Sequence, residues 1–157
     1  MKISVWFTMC VVLLVSVGVV DLFAQSGTTG GGTITFGRSS GRAVVGLPDG
    51  RQLIRTSNSG INLADGGGPF HLNTQDCRGT IVMVDGGVRN YGYCDSVDAD
   101  GDVWWLSYTN DLDSGTFQIL GGTGKFAGIE GGGTTRVLGN YDDGRLVLRW
   151  DGNWQMQ

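Results

Sequence analysis

The stretch GGTGKFAGIEGGG, residues 121–133, decides how this sequence is interpreted. It follows the short apolar run FQIL, and its G-T-G-K-F-A satisfies the dinucleotide fingerprint G-x-G-x-x-[G/A]. That fingerprint binds a nucleotide only where a helix opens behind it and meets the pyrophosphate. Only KFAGIE stands before Gly131, which is too short for such a helix. A P-loop is also excluded, because Phe126 follows Lys125 where serine or threonine is required.

The rest of the chain has the pattern of an all-β protein. Glycine supplies 29 of the 157 residues and costs about 1 kcal/mol in a helix interior, so long helices are not expected. Short runs rich in Val, Ile, Thr and aromatic residues alternate with turns that place Asp or Asn near Gly. The runs predicted as strands are residues 33–36, 42–47, 51–57, 77–84, 88–97, 103–109, 115–120, 132–138 and 145–150. Antiparallel strands joined by short turns form a meander, which must close into a barrel or fold into a sandwich.

We predict a single β-domain of residues 33–157, and three further features within it or directly before it have predicted roles. Residues 25–32 carry little side-chain area, so we predict a flexible lead-in. Residues 58–76 form the longest predicted connection, within which residues 61–63 can form a short strand. Phe126 and Ile129 are three residues apart, so a single helical turn would let both plug one end of a barrel.

The first 24 residues are predicted to be a signal peptide. Lys2 precedes the apolar run ISVWFTMCVVLLVSVGVV, and Ala24 is a small residue suited to cleavage. An uncleaved membrane anchor is the alternative, because the run is just long enough to span. We favour cleavage and a secreted protein, extracellular or periplasmic, without membrane association afterwards.

Charge and cysteine content suit a secreted domain. The net charge is −4, and loss of Lys2 with Asp21 leaves it unchanged, so nothing favours nucleic acid as a partner. Cleavage also removes Cys10, leaving Cys77 and Cys94, which we predict to form a disulfide. Closing that loop would stabilise the fold by about 3 kcal/mol. No zinc pattern is present, since His71 is the only histidine.

The segment SGTFQILGGTGKFAGIEGGGT, residues 114–134, resembles the signature of the allene oxide cyclase-like barrel superfamily, which includes plant dirigent proteins. The matching residues are Gly121, Gly122, Gly124, Lys125 and Phe126. GYCDSVDADGDVWW also resembles bacterial secreted members of the group. The resemblance implies an antiparallel eight-stranded barrel with a central cavity, often oligomeric. The resemblance identifies no catalytic residues in this sequence, so we assign none. A homo-oligomer is one expectation that follows from the resemblance.

Two acidic features have a functional and a plain interpretation. In DADGD, Asp98, Asp100 and Asp102 alternate as calcium ligands do, but Gly101 precedes the third acid and no glutamate stands at the twelfth position. We favour a hairpin turn and expect no metal or cofactor. Glu130 would be a general acid or base if it lay buried at a barrel mouth, although a solvated loop acid is the plainer interpretation.

The aromatic residues suggest a cavity or a surface platform. Trp104, Trp105 and Tyr108 lie in the strand VWWLSYT, which is apolar on both faces; with Glu130 they are our candidate cavity residues. Trp154, after the last strand, is expected outside the core. We predict a barrel that binds a small apolar or amphipathic molecule. A cyclase or isomerase using the cavity, and an extracellular carbohydrate-binding or interaction module, are the alternatives.

Overall fold

A computed structural model describes residues 25–84 and 87–156, with only the backbone described for residues 37–44 and for Val84. The predicted signal peptide at residues 1–24 lies outside the described residues. The strands are β1 (Gln25–Gly46), β2 (Gln52–Ala64), β3 (Thr74–Val84), β4 (Gly87–Val97), β5 (Val103–Asn110), β6 (Ser114–Gly122), β7 (Glu130–Asn140) and β8 (Leu146–Met156). One 3₁₀ turn, Gly124–Phe126, lies between β6 and β7.

The strands form a closed antiparallel barrel in chain order. Each strand pairs with the next, and β1 pairs with β8 to close the cylinder. The all-β prediction is therefore confirmed, and of barrel and sandwich the chain adopts the barrel. Period-two alternation decides which side chains enter it: in β5, Trp104, Leu106 and Tyr108 are buried while Trp105 and Thr109 are exposed.

Residues 25–32 form the first part of β1 instead of the flexible lead-in that we predicted. They pair with β8 from Gln25↔Met156 to Gly32↔Arg149, and β2 begins to pair at Gly31↔Ala64. Glycine at the closest approaches is what admits this segment between its neighbours. A Cβ on Gly31 would collide with the carbonyl oxygen of Leu63 and the indole ring of Trp150.

The predicted connection at residues 58–76 is also shorter than expected. Strand β2 continues to Ala64 and β3 begins at Thr74, so the loop spans residues 65–73. This loop brings Phe70, which is 2 % exposed, into the barrel end. The predicted connection starts with NSGIN, residues 58–62, which lies in β2. These polar residues form a strand because alternate ones face a barrel interior that is partly polar.

Phe126 and Ile129 close the same end of the barrel, as predicted. Both side chains are 0 % exposed, and the backbone N–H of Ile129 donates to the Phe126 carbonyl oxygen at 3.1 Å. Gly124 supplies φ +53 at the start of the turn, where a Cβ would run into the Asp102 carboxylate. The glycines therefore shape a plug and leave no helix to receive a phosphate.

The predicted disulfide is present as a bond between β3 and β4. Cys77 and Cys94 are directly opposed in the register, with Cα atoms 4.0 Å apart, and both are 6 % exposed on the inner side of the wall. The bond ties two neighbouring strands without displacing the ladder. It is compatible with an oxidising compartment. No helix within the described residues is long and apolar enough to cross a membrane.

The plug predicts a large stability difference between two neighbouring positions. Replacing Phe126 with alanine should lower the free energy of unfolding by about 3–5 kcal/mol, because it leaves a cavity in a fully buried site. Leu120→Ala, at a side chain 44 % exposed on the outer face of β6, should change it by less than about 0.5 kcal/mol. Urea unfolding of both variants measures this. Equal effects would show that the turn is not part of the core.

Candidate functional site

The barrel encloses a cavity of about 100 Å³ above the plug. Its floor is an aromatic cluster centred on Phe70, whose ring lies 5.0 Å from that of Trp104, 6.4 Å from that of Trp150 and 6.1 Å from that of Phe126. Phe70 meets the two tryptophans edge-to-face and stacks on Phe126, and both kinds of contact stabilise the cluster beyond simple burial. The cavity is therefore closed at the plug end.

The two halves of the cavity wall differ in polarity. Strands β1 to β4 contribute mainly polar side chains and the disulfide, and β5 to β8 contribute mainly apolar ones. The first half comprises Thr29, Thr33, Thr35, Asn58, Asn62, Gln75, Asn90 and the two cysteines. The second comprises Trp104, Leu106, Tyr108, Phe117, Ile119, Leu146, Leu148 and Trp150, with Asn110, Thr135 and Asn153 as polar exceptions. A molecule inside would meet amide and hydroxyl groups on one side and hydrocarbon on the other.

No Asp, Glu, Lys, Arg or His is among the described residues that line the cavity. Several lining polar groups are hydrogen-bonded to one another or to the backbone. The Thr33 hydroxyl donates to Asn62 Oδ1 at 2.6 Å, and the Thr135 hydroxyl donates to Asn110 Oδ1 at 2.9 Å. The Thr35 hydroxyl accepts the backbone N–H of Leu146 at 3.0 Å. Such a wall can hold and orient a neutral molecule, but it supplies no carboxylate or imidazole for proton transfer.

The four candidate cavity residues fall in different places. Trp104 and Tyr108 line the cavity. Trp105 points outward, is 38 % exposed and lies against Gly121. Glu130 is exposed at the start of β7, where Gln155 Nε2 donates to its Oε2 at 3.5 Å. Alternation along β5 separates the two adjacent tryptophans, and the closed plug leaves Glu130 outside the barrel.

The polar wall was not anticipated from the sequence. Asn58 and Asn62 lie in the segment that we predicted as a loop, because polar residues and glycine normally indicate turns. Their spacing is the signal that was available: N-S-G-I-N places both asparagines on one face of a strand. Trp154 also differs from expectation, since its ring packs 5.8 Å from that of Phe70 and covers Gly27. His71 is an exposed loop residue whose Nδ1 lies 3.1 Å from the Ala64 carbonyl oxygen.

The DADGD turn is tied to the plug by Lys125. The Lys125 ammonium pairs with the carboxylate of Asp98 and with that of Asp100, at 2.9 Å from Asp100 Oδ2. The Lys125 backbone N–H donates to Asp102 Oδ2 at 3.1 Å, and Asp98 Oδ1 accepts the N–H groups of Asp100 and Asp102. The three acids thus act as turn formers and as anchors for Lys125. The ammonium holds the pKa of Asp98 below its usual value.

A second concavity, of about 630 Å³, lies on the outer face of β2 to β5. The inward-pointing row Thr56, Gly79, Gly92 and Tyr108 forms its floor, and the outward-pointing rows on either side form its walls. We call it the outer trough. Two of its wall residues, Tyr91 and Tyr93, are 44 % and 67 % exposed. Its arginines, Arg55 and Arg78, form no ion pair with any described residue.

The barrel is similar to solved structures of two pterocarpan synthase dirigent proteins. One superposes with a TM-score of 0.55 and 12% sequence identity, covering 85% of this chain and 91% of that chain. The other superposes with a TM-score of 0.54 and 12% identity, covering 83% of this chain and 94% of that chain. The chain therefore has a dirigent-like β-barrel fold. The sequence matches no family model and no curated protein.

The Lys125 contacts predict a pH-dependent contribution to stability. Because the folded-state pKa of Asp98 is lowered, its ion pair stabilises the fold above the unfolded-state pKa of about 4 and is lost as pH falls through the lower, folded-state pKa. Asp98→Asn should therefore lower the urea midpoint at pH 7 and have progressively less effect below pH of about 4. Asn retains the oxygen that caps the turn, so the charge alone is tested.

Asp142→Asn is the control, because Asp142 is exposed and no hydrogen bond or ion pair of its side chain is found in the described part of the chain. Asp142→Asn should leave the urea midpoint nearly unchanged, both at about pH 7 and below pH of about 4. A pH-independent loss in Asp98→Asn would contradict the ion pair as the cause.

Proposed function

We propose that this protein binds a small, uncharged, amphipathic molecule inside the barrel. The observation that supports it is the asymmetric wall of the cavity: polar and uncharged on β1 to β4, largely apolar on β5 to β8, with an aromatic floor. A charged ligand would lose its hydration without gaining a counter-charge, which is strongly unfavourable. A purely apolar ligand would leave the amide groups of Asn58 and Asn62 facing hydrocarbon.

The size of the cavity restricts what fits inside it. A cavity of about 150 Å³ in another protein accepts benzene, whereas this one measures about 100 Å³. The ligand is then either a molecule of few heavy atoms or a longer one that inserts only its end. Entry is from the end opposite the plug, because Phe126 and Ile129 seal the other end.

Holding and orienting a molecule also suits a role in stereocontrol. Solved barrels similar to this one include two dirigent proteins that are pterocarpan synthases by name. In this chain, a cyclase- or isomerase-type reaction would depend mainly on confinement of a reactive molecule, since the described cavity wall carries no carboxylate, amine or imidazole and its one phenol is that of Tyr108. We rank non-covalent binding above catalysis for that reason, and we place the protein outside the cell on its predicted signal peptide and its disulfide.

A mouth-blocking substitution tests the proposal. Leu146 lines the cavity, and Val147, the next residue of β8, points to the outer face opposite Ile34. Leu146→Trp should weaken binding of a cavity ligand at least tenfold, whereas Val147→Trp should leave it unchanged. Native mass spectrometry of the secreted protein identifies a retained ligand, and its release and rebinding are followed by tryptophan fluorescence.

Two results would contradict the proposal that the cavity binds a ligand. If the secreted protein carries no ligand and no neutral fragment perturbs Trp104 or Trp150, the barrel is not a binding site. Equal loss of binding in both variants would place the ligand elsewhere. Circular dichroism confirms that each variant is folded, because overpacking by Trp typically costs 1–3 kcal/mol.

The outer trough favours a second candidate function, the binding of a sugar chain on the outer wall. Exposed tyrosine rings offer flat apolar faces, and Arg55 and Arg78, which form no ion pair with a described residue, offer hydrogen-bond donors to hydroxyl or carboxylate groups. The trough crosses four strands, a length of roughly 14 Å at the usual strand spacing. That length accommodates a short oligosaccharide.

The two candidates respond to different substitutions. If the trough binds sugar, Tyr93→Ala should weaken retention of the protein on an oligosaccharide array at least tenfold, while Leu146→Trp has no effect. Tyr141→Ala, at a tyrosine 52 % exposed outside the trough, is the matched control. Absence of any oligosaccharide binding by the unmodified protein removes this candidate.

A further inference from the structure

We propose that the cavity ligand carries an uncharged acceptor oxygen, such as a carbonyl or ether oxygen, at its buried end, and that Asn62 and Trp150 select it. This inference rests on the proposed cavity-binding function and assigns the class of ligand. It depends on buried hydrogen-bond donors that have no acceptor among the described residues.

Two buried N–H donors at the cavity floor have no partner in the described part of the chain. Asn62 is 2 % exposed; its Oδ1 accepts the Thr33 hydroxyl at 2.6 Å, while its Nδ2 has no hydrogen-bond partner. Trp150 is 9 % exposed, and its Nε1 also has none. Both nitrogens are shielded from solvent. Buried donors are satisfied in the great majority of cases, so two in one cavity indicate a missing partner.

Trp104, the other tryptophan of the cavity floor, shows that burial alone does not leave an indole N–H without a partner. Trp104 is 5 % exposed, yet its Nε1 donates to Asn73 Oδ1 at 2.7 Å. Asn73 in turn donates from Nδ2 to the His71 carbonyl oxygen at 3.1 Å. The fold therefore supplies an acceptor for one indole of the floor and not for the other.

The two unpartnered donors flank the same strand. Asn62 pairs with Thr33 and Trp150 pairs with Gly31, so the side chains lie on either side of β1 on its inner face, two residues apart along it. Both residues line the cavity, and the Trp150 ring lies 6.4 Å from Phe70 of the floor. A ligand that reaches the floor therefore arrives beside both.

The chemistry of the two donors specifies the ligand. Both are N–H groups, so an oxygen with lone pairs satisfies them, whereas a hydrocarbon end leaves them unpaired. An anionic oxygen is disfavoured, because the described cavity wall holds no cation to compensate its desolvation. Asn90 Oδ1, another cavity-lining atom without a partner among the described residues, is an acceptor and does not compete for the same oxygen.

A matched pair of probes isolates the oxygen. Acetone and 2-methylpropene are small enough for the cavity, share one branched skeleton with one double bond, and differ only in oxygen against CH₂. We expect acetone to bind the ¹⁵N-labelled, disulfide-bonded protein about tenfold more tightly, as one buried hydrogen bond to otherwise unsatisfied donors allows. The indole N–H resonance of Trp150 should move downfield with the ketone only, and that of Trp104 should not.

Two phenylalanine variants serve as test and control, because they remove the same atoms from the same floor. Trp150→Phe should reduce the preference for the ketone severalfold. Trp104→Phe should retain that preference and be the less stable of the two, since it leaves Asn73 Oδ1 without its donor. Should Trp150→Phe fail to fold, Asn62→Leu removes the other donor and should reduce the preference in the same way.

The outcomes separate this inference from the proposed function. Equal binding of both probes, with the Trp150 resonance unmoved by the ketone, overturns the inference and leaves cavity binding intact. An unchanged preference in Trp150→Phe and Asn62→Leu overturns it as well. Binding of neither probe overturns both proposals.

Discussion

Closure of this barrel depends on close packing of aromatic rings against the glycine-rich first part of β1. The first part of β1 lies between β2 and β8, and its glycines leave room on the inner face for Trp150 over Gly31 and Trp154 over Gly27. A methyl group at Gly31 would strike both a backbone carbonyl and the indole. Because those two rings complete the cluster around Phe70, the strand that closes the barrel also builds the cavity floor.

The turn that carries Phe126, together with the DADGD hairpin beside it, also stabilises that floor. Phe126 enters the core from a turn of three residues, which cannot hold a position by its own hydrogen bonds alone. Lys125 fixes the turn from outside, through the Asp98 and Asp100 carboxylates and through its backbone N–H on Asp102. The charges of DADGD are thus engaged at the barrel end, and the cavity on the other side of Phe126 remains uncharged.

The lack of charged side chains in the described cavity wall restricts the possible ligands more than the shape of the cavity does. This chain is 12% identical in sequence to each of the two pterocarpan synthase dirigent proteins, so the similarity supports a common barrel fold and transfers no activity. The side-to-side division of the wall, amides and hydroxyls against aliphatic and aromatic carbon, is a property of this chain's own residues. This division is the basis of our proposal that the cavity binds a neutral amphipathic molecule, since each side of such a molecule would meet matching surface.

Much of the fold followed from local patterns that require no knowledge of distant residues. Asp and Gly at the turns, alternation in the strands, the Cys77–Cys94 pair and the three-residue spacing of Phe126 and Ile129 predicted the meander, the disulfide and the plug. Two strand segments were not predicted in full: residues 25–32 were expected to be a flexible lead-in, and of residues 58–64 only 61–63 were offered as a short strand. Both lack clear apolar alternation, because half of the first segment is glycine and the second faces a partly polar interior.

By itself, the sequence determined an all-β chain with short turns, a cross-linked pair of cysteines and a glycine-rich plug without a phosphate site. These properties depend on neighbouring residues and on backbone conformation, which local chemistry governs. Only the tertiary structure decided which side chains share the cavity: Trp104 with Asn62 and Trp150, but not Trp105 or Glu130. The register between distant strands sets that grouping, and register is fixed by how the whole barrel closes.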